Sequence, residues 1–446
     1  MRFRIIIPAV VVFCALIYGC DRNPNKEIHS HHKAENVVTQ DIQNAIEKNI
    51  EDQTRKGNGY FMLPFNQSEL RLKLVRVHTE YLATLAPEKH FACVDLVSTQ
   101  GDVYDVDFFL AGSPPNMNVT KTSVHKINGK PIYLWKQKND GSWNQAPVKN
   151  ADQKLLGVIR NEDKFQFIYN AKLPQINAPA KMWIPMPITK QFQTVSTKSI
   201  EIPGQYQILE DTDYNNKVFF VLLSPEDSGK TIDIRYDVTS KEKKISDAPD
   251  EEIEKFLKPS RLVPDDPKFK NIAQNVVKDK KGDIVRARAL YDHVIDQIKY
   301  AKFGQGWGKG DALYACDVKT GNCTDFHSYF IALCHAVNIP AKFAIGAAIP
   351  SERNEGGIDG YHCWAEFYAD GQWWPVDISE ADKYSTLATY YFGHQPANRI
   401  ELSCGRDIIL KELPQSGPIN FLAYPIIEIN SKPAKATVKF SFVRNL

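Results

Sequence analysis

At 446 residues the chain exceeds what one ordinary hydrophobic core supports and predicts roughly two to four domains. A hydrophobic share of 43% and a charged share of 24% are those of a globular protein and exclude a disordered one. Lys and Arg number 55 against 53 Asp and Glu, a formal +2; with no basic run, the charge gives no footing for nucleic-acid binding.

The N-terminus reads as an address. Arg2 and Arg4 precede an apolar stretch from Ile5 to Ile17. It is shorter than the roughly 20 residues of a membrane span and matches the core of a secretory signal. It ends in Leu16-Ile17-Tyr18-Gly19-Cys20, which resembles a bacterial lipobox. That resemblance implies a signal peptide over 1–19, lipid on Cys20, and a mature protein anchored in the cell envelope, facing the periplasm or the exterior, with no transmembrane helix. Asp21 adds a preference for the inner membrane. Residues 20–57 are expected to be a tether followed by a helix. The tether, with His29, His31 and His32, reads as a solvated spacer, and Val38, Ile42, Ile46 and Ile50 recur every four residues up to Gly57.

From 58 to 158 the pattern predicts a mostly β domain. Tyr104, Val106, Phe108 and Leu110 alternate with Asp105 and Asp107, which read as a solvated face rather than a metal site. Asn128-Gly129 and Asp140-Gly141 supply tight turns, and a helix is expected over Leu70 to Leu85. Residues 159–245 predict a β-sandwich of immunoglobulin type, with strands at 165–169, 181–184, 218–223 and 231–238 and turns at Asn215-Asn216 and Ser228-Gly229. The polar stretch 241–252 marks a boundary. Within 246–446, Ala287, Leu290, Tyr291, Val294, Ile295 and Ile298 make a helical stripe with Asp283 as its N-cap, and the alternation of Val438, Phe440 and Phe442 marks a terminal strand.

Eight cysteines occur. Without Cys14 and Cys20 they are Cys93, Cys316, Cys323, Cys334, Cys363 and Cys404. Their spacing suggests no disulfide framework, and the lack of a CxxC motif gives no zinc site. No cofactor is implied. Cys323 in Gly321-Asn322-Cys323-Thr324-Asp325-Phe326 opens a helix whose apolar residues are Phe326, Phe330, Leu333 and Val337. A thiolate there is favoured by the unsatisfied N–H groups and the helix dipole, whereas Cys334 falls on the apolar side. Tyr361 to Tyr368 reads as a strand, Asp370-Gly371 as a turn, and Trp373 to Asp377 as the returning strand. A two-residue loop sets Asp377 opposite Trp364 and His362 opposite Ser379, so His362 and Asp377 become diagonal neighbours on one face. A three- or five-residue loop would put the two on opposite faces; were Asp377 dispensable, Glu366 would be the next candidate orienter. Thiol, imidazole and carboxylate together make a nucleophile, its base and an orienting group.

The motifs GNCTDFHSYFIALCHAVNIPAKF, YHCWAEFYADGQWWPVD and YYFGHQPANRIELSCGRDI resemble the transglutaminase-like superfamily over about 246–430. The resemblance implies an α+β fold with a papain-like core preceded by β-rich domains, and gives Cys323, His362 and Asp377 the triad roles. Trp307 lies where a tryptophan of animal transglutaminases helps stabilise the oxyanion. The Gly304, Gly306, Gly308 and Gly310 run lacks the ending of a phosphate-binding loop and reads as a flexible loop beside the site. Asn398, Arg399 and Arg406 match the family motif without an evident chemical role, and the calcium sites of animal members have no counterpart. The implied activity is thiol acyl transfer on a protein or peptide substrate, peptidoglycan peptides included, with hydrolysis or deamidation expected over cross-linking. The rival reading is a non-catalytic envelope module that binds a partner on the same scaffold.

Overall fold

The computed structural model describes residues 39–78, 82–86, 88–137, 143–148, 157–247, 253–302, 305–383 and 387–444. The signal peptide, Cys20, Asp21, the histidine tether and the Asp140-Gly141 turn lie outside the described residues. No helix among the described residues is long and apolar enough to cross a membrane.

Helix α1 (Thr39–Lys56) forms where the four-residue apolar spacing predicts it. Ile42, Ile46 and Ile50 are buried against Leu72, Val94, Leu96, Val106 and Phe108 of a seven-stranded sheet. The helix expected over Leu70 to Leu85 is instead a strand, Ser68–Val77, followed by a short one, Ala83–Ala86. Leu70, Leu72 and Leu74 alternate with Arg71 and Lys73, a period of two, and Asn66-Gln67 at positive φ turn the chain back onto Phe61–Phe65. On Val103–Ala111, Val106, Phe108 and Leu110 enter the α1 core as their spacing requires. The opposite face is not solvated: Asp105 and Asp107 are buried. In the antiparallel register Asp95 sits opposite Asp105 and Cys93 opposite Asp107. Buried carboxylates need partners: Lys126 Nζ is 2.8 Å from Asp105, the Tyr133 hydroxyl donates to Asp107 at 2.7 Å, and Arg288 is 3.1 Å from Asp95.

The sandwich consists of two five-stranded sheets. Glu162–Lys172 lies between Thr231–Lys241 and the terminal strand Thr437–Val443, while Ala180–Met186 lies between Lys217–Leu223 and Ile426–Ile429. The late strands thus pair with the sandwich rather than with the sheet that carries the motifs; Phe440 and Phe442 bury their rings beside Phe167 and Tyr169.

The remaining core packs helices on one five-stranded antiparallel sheet. Helices α2 (Pro267–Val276), α3 (Asp283–Gln297), α4 (Ala312–Val318) and α5 (Cys323–His335) lead to strands Ala341–Ala348, His362–Ala369, Gln372–Val376 and Arg399–Cys404, with α6 (Ile378–Lys383) following Asp377. Asp283 is the first residue of α3 rather than its cap; Gly282, at φ 84°, holds the cap position. Phe326, Phe330 and Leu333 of α5 are fully buried, with Phe330 edge-on to Phe367 of the sheet.

Candidate active site

Local chemistry places Cys323 at the first position of α5. Asn322 caps the helix, its side chain accepting from Thr324 N at 3.0 Å, and Asp325 reaches back to Asn322 N at 2.9 Å. Asp325 also accepts from the amides of Gly308 and Gly310 at 2.7 and 3.1 Å. The glycine-rich loop is therefore tied to the helix that Cys323 opens. Gly310, at φ 65°, has no room for a side chain, since a Cβ there would lie 2.7 Å from Ser328 Oγ. Trp307 sits in this loop, partly exposed. The adjacent Gly308 carbonyl accepts from the Tyr361 hydroxyl at 3.4 Å, and that hydroxyl accepts from Asn322 Nδ2 at 2.9 Å.

The hairpin has the two-residue loop. Asp370 and Gly371 take φ 52° and 84°, the conformation of a tight hairpin turn, and the ladder runs from Ala369 opposite Gln372 to Ala365 opposite Val376. His362 and Asp377 follow on the same side, and His362 Nε2 lies 2.6 Å from Asp377 Oδ2. The carboxylate is buried and held from behind: Ser379 Oγ and Glu380 N donate to Oδ1 at 3.2 Å, and an Arg399 guanidinium nitrogen is 3.6 Å from Oδ2. Cys323 is in hydrogen-bonding contact with His362 and with the neighbouring thiol Cys363. Glu366 is not available as an orienter. It is buried between Lys243, which donates to it, and Lys342 at 3.9 Å.

The electrostatics follow from these contacts. Burial opposes a thiolate at Cys323, but hydrogen bonds from Cys363 and His362 and the positive imidazole field outweigh it, and its pKa falls well below the usual value. Burial likewise opposes a charge on His362, yet the Asp377 carboxylate pushes its pKa up to about 9. Asp377 is held well below the carboxylate range despite burial, chiefly by His362 and then by Arg399. A thiolate–imidazolium pair is the arrangement these shifts favour.

Four neighbours carry roles that motif matching left blank. His327 stands one helical turn after Cys323, a spacing that places it on the same face. Arg399 flanks Asp377. Arg406 donates to Ser328 Oγ at 2.6 Å and to the Gly310 carbonyl at 2.8 Å, bracing α5 against the loop. Asn398 bonds the Gly157 and Ile349 carbonyls and so fastens the sandwich to the core.

The model of the transglutaminase-like superfamily matches residues 270–378, a span that includes Cys323, His362 and Asp377. This segment is a transglutaminase-like domain. The transglutaminase-like core follows β-rich parts, a mixed α+β architecture. An uncharacterised Haemophilus influenzae protein is 24% identical over 320 residues, covering 60% of this chain and 86% of its own length. Among solved structures, a protein provisionally described as a cysteine protease from Cytophaga hutchinsonii aligns with a TM-score of 0.43 and 17% identity, over 64% of this chain and 92% of that one. The periplasmic domain of TgpA from Pseudomonas aeruginosa aligns with a TM-score of 0.29 and 14% identity, over 66% and 91% of the two chains.

Proposed function

We propose that the protein is a thiol amidase or peptidase of the cell envelope, with Cys323 as nucleophile, His362 as base and then acid, and Asp377 as orienter. One observation carries the reading. The thiol at the start of α5 contacts an imidazole whose other side is fixed by a buried carboxylate 2.6 Å away. The Cys323 thiolate attacks the carbonyl of a peptide or glutamine-type amide. The Cys323 N–H faces the developing oxyanion, with the Trp307 indole as second donor. His362 passes its proton to the leaving amine or ammonia, and an S–acyl bond replaces the C–N bond. Water, deprotonated by His362, then attacks the thioester, releasing a carboxylic acid and restoring the thiol. Hydrolysis or deamidation is favoured over cross-linking, on peptide substrates that include peptidoglycan stems.

Incubating the purified protein with envelope extract and an excess of a biotinylated primary amine tests this. The amine should resolve the acyl-enzyme and label acyl donors identifiable by mass spectrometry, and the label should vanish in Cys323→Ala. Equal labelling by both proteins would favour the non-catalytic binding reading. The lipid anchor is tested separately: Cys20→Ala should leave unprocessed precursor or a protein released from membranes. Unchanged fractionation without lipid on the mature terminus would end that part of the proposal.

A further inference from the structure

His327 is fully buried beside the reacting groups, and its two ring nitrogens are both engaged. The Ile378 amide donates to Nε2 at 3.0 Å. An amide N–H only donates, so Nε2 must be the unprotonated nitrogen and the ring proton must sit on Nδ1. Nδ1 lies 2.7 Å from the Cys323 carbonyl oxygen and donates to it. The geometry alone therefore fixes both the tautomer and the neutral state. One side of the ring grips the backbone of the nucleophile, and the other grips the peptide immediately after Asp377. These two segments belong to separate elements, α5 and the strand-to-α6 corner.

We infer that His327 is a positioning residue, a neutral imidazole strut that sets the distance between the Cys323 and Asp377 backbones and so keeps His362 aligned between them. The inference rests on reading Cys323, His362 and Asp377 as the reacting groups. Both ring nitrogens of His327 are thus taken up by backbone groups, and its Nδ1 also lies 3.6 Å from Cys363 Sγ. A second proton would have to go on Nε2, where the Ile378 N–H already points, and would break the grip. The charged ring would also compete for Asp377 Oδ1, which is 3.9 Å from Nε2. The surroundings keep the ring neutral: burial pushes its pKa down, against the pull of the Asp377 and Cys323 charges, with the neighbouring His362 charge acting in the same direction as burial. A misplacement on the order of 1 Å at a reacting group costs about a hundredfold in rate, so a strut of this kind acts on alignment rather than on overall fold.

The test needs no substrate. Iodoacetamide alkylation of Cys323 is followed by mass spectrometry from pH 4 to 9 on the full chain, with circular dichroism as a folding control. In His327→Leu the strut is absent, and the thiolate–imidazolium pair should weaken. The pH midpoint of alkylation should rise by about one unit and the rate at acidic pH fall about tenfold. His327→Gln retains one donor and one acceptor and should keep the parental midpoint. A folded His327→Leu with the parental profile would overturn the inference, as would a folded His327→Gln shifted as far as the leucine variant. If His327→Leu does not fold, the glutamine variant decides alone: the parental midpoint supports the strut and a raised one removes it. Failure of the triad reading looks different, since amine labelling would then survive in Cys323→Ala.

Discussion

Two regions of the molecule bury cysteine, histidine and aspartate side by side, and they treat the thiol in opposite ways. In the N-terminal sheet, Cys93 Sγ donates to Asp105 Oδ1 at 2.7 Å, with Asp95 and Asp107 on the same face and His78 3.1 Å from Asp95. Burial and then those carboxylates push the Cys93 thiol far above its usual range. In the transglutaminase-like domain, Cys323 is equally buried, but the group it meets is an imidazole held positive by a carboxylate on its far side, and its pKa falls. Burial acts identically in both places. What differs is whether the aspartate touches the sulfur directly, which repels a thiolate, or through a histidine, which attracts one. Reactivity is therefore a matter of connectivity, not of residue content.

The largest expected effect comes from removing the thiolate. Cys323→Ala should abolish amide hydrolysis and amine incorporation, measured on whatever acyl donor the trapping experiment identifies, while the melting temperature stays near the parental one. Activity persisting above a few per cent of the parental rate would move the nucleophile elsewhere. Asp377→Asn comes next, because it keeps the shape and deletes the charge that makes His362 an attractive partner. The matching change in serine proteases costs about four orders of magnitude in turnover. A thiol enzyme whose ion pair forms before substrate binds loses less, so at least about a tenfold loss is expected in a normally folded variant. Full activity there would dissolve the triad.

The pH dependence sharpens the contrast. Below the depressed pKa of Cys323 the thiol is protonated, and above about pH 9 His362 loses its proton, so the ion pair exists between those limits. Cys323 should be alkylated fastest of the cysteines at neutral and mildly acidic pH. Cys93, Cys334 and Cys363, whose burial raises their pKa, should stay unlabelled in the folded protein, as should Cys404, raised to about 11. Removing the Asp377 charge should raise the Cys323 pKa and lower that of His362, narrowing the window from both sides. Comparable labelling of Cys93 and Cys323 at pH 6 would erase the distinction between the two regions.

The same contrast explains what was legible in the sequence. The spacing of Cys323, His362 and Asp377 could be converted into proximity because a two-residue turn fixes parity, and Asp370-Gly371 is such a turn. The α1 stripe was legible for a similar reason: its periodicity names the buried face. Asp105 and Asp107 were misread because alternation divides a strand into two faces without saying what covers the second one. Here Arg288, far along the chain on α3, reaches Asp95 on that face. His327 and Arg399 had visible positions, but their partners come from other elements, the Ile378 amide and the Asp377 carboxylate. The terminal strand was legible as a strand, yet no local pattern states that its partner is Glu162–Lys172.

The smallest expected effect on chemistry belongs to Asp105→Asn, which asks whether Cys93 can be awakened by removing the nearest negative charge. The substitution keeps the size of the side chain and removes one of the forces raising the Cys93 pKa. Burial stands ahead of Asp105 among those forces, and Asp95 and Asp107 remain. The neighbouring basic groups face carboxylates that stay in place: His78 lies 3.1 Å from Asp95 and His125 3.6 Å from Asp107, while Lys126 loses the oxygen it bonded. The thiol should therefore stay protonated at neutral pH and unlabelled by iodoacetamide, and the alkylation profile of Cys323 should not move. The cost should appear in stability instead. Lys126 loses a charged hydrogen bond, with its side chain 34% exposed, so water offsets part of the loss and about 1–2 kcal/mol is expected in a urea titration. Rapid labelling of Cys93 in folded Asp105→Asn would show that its inertness depends on that single carboxylate, and that two sites of similar composition stand one substitution apart.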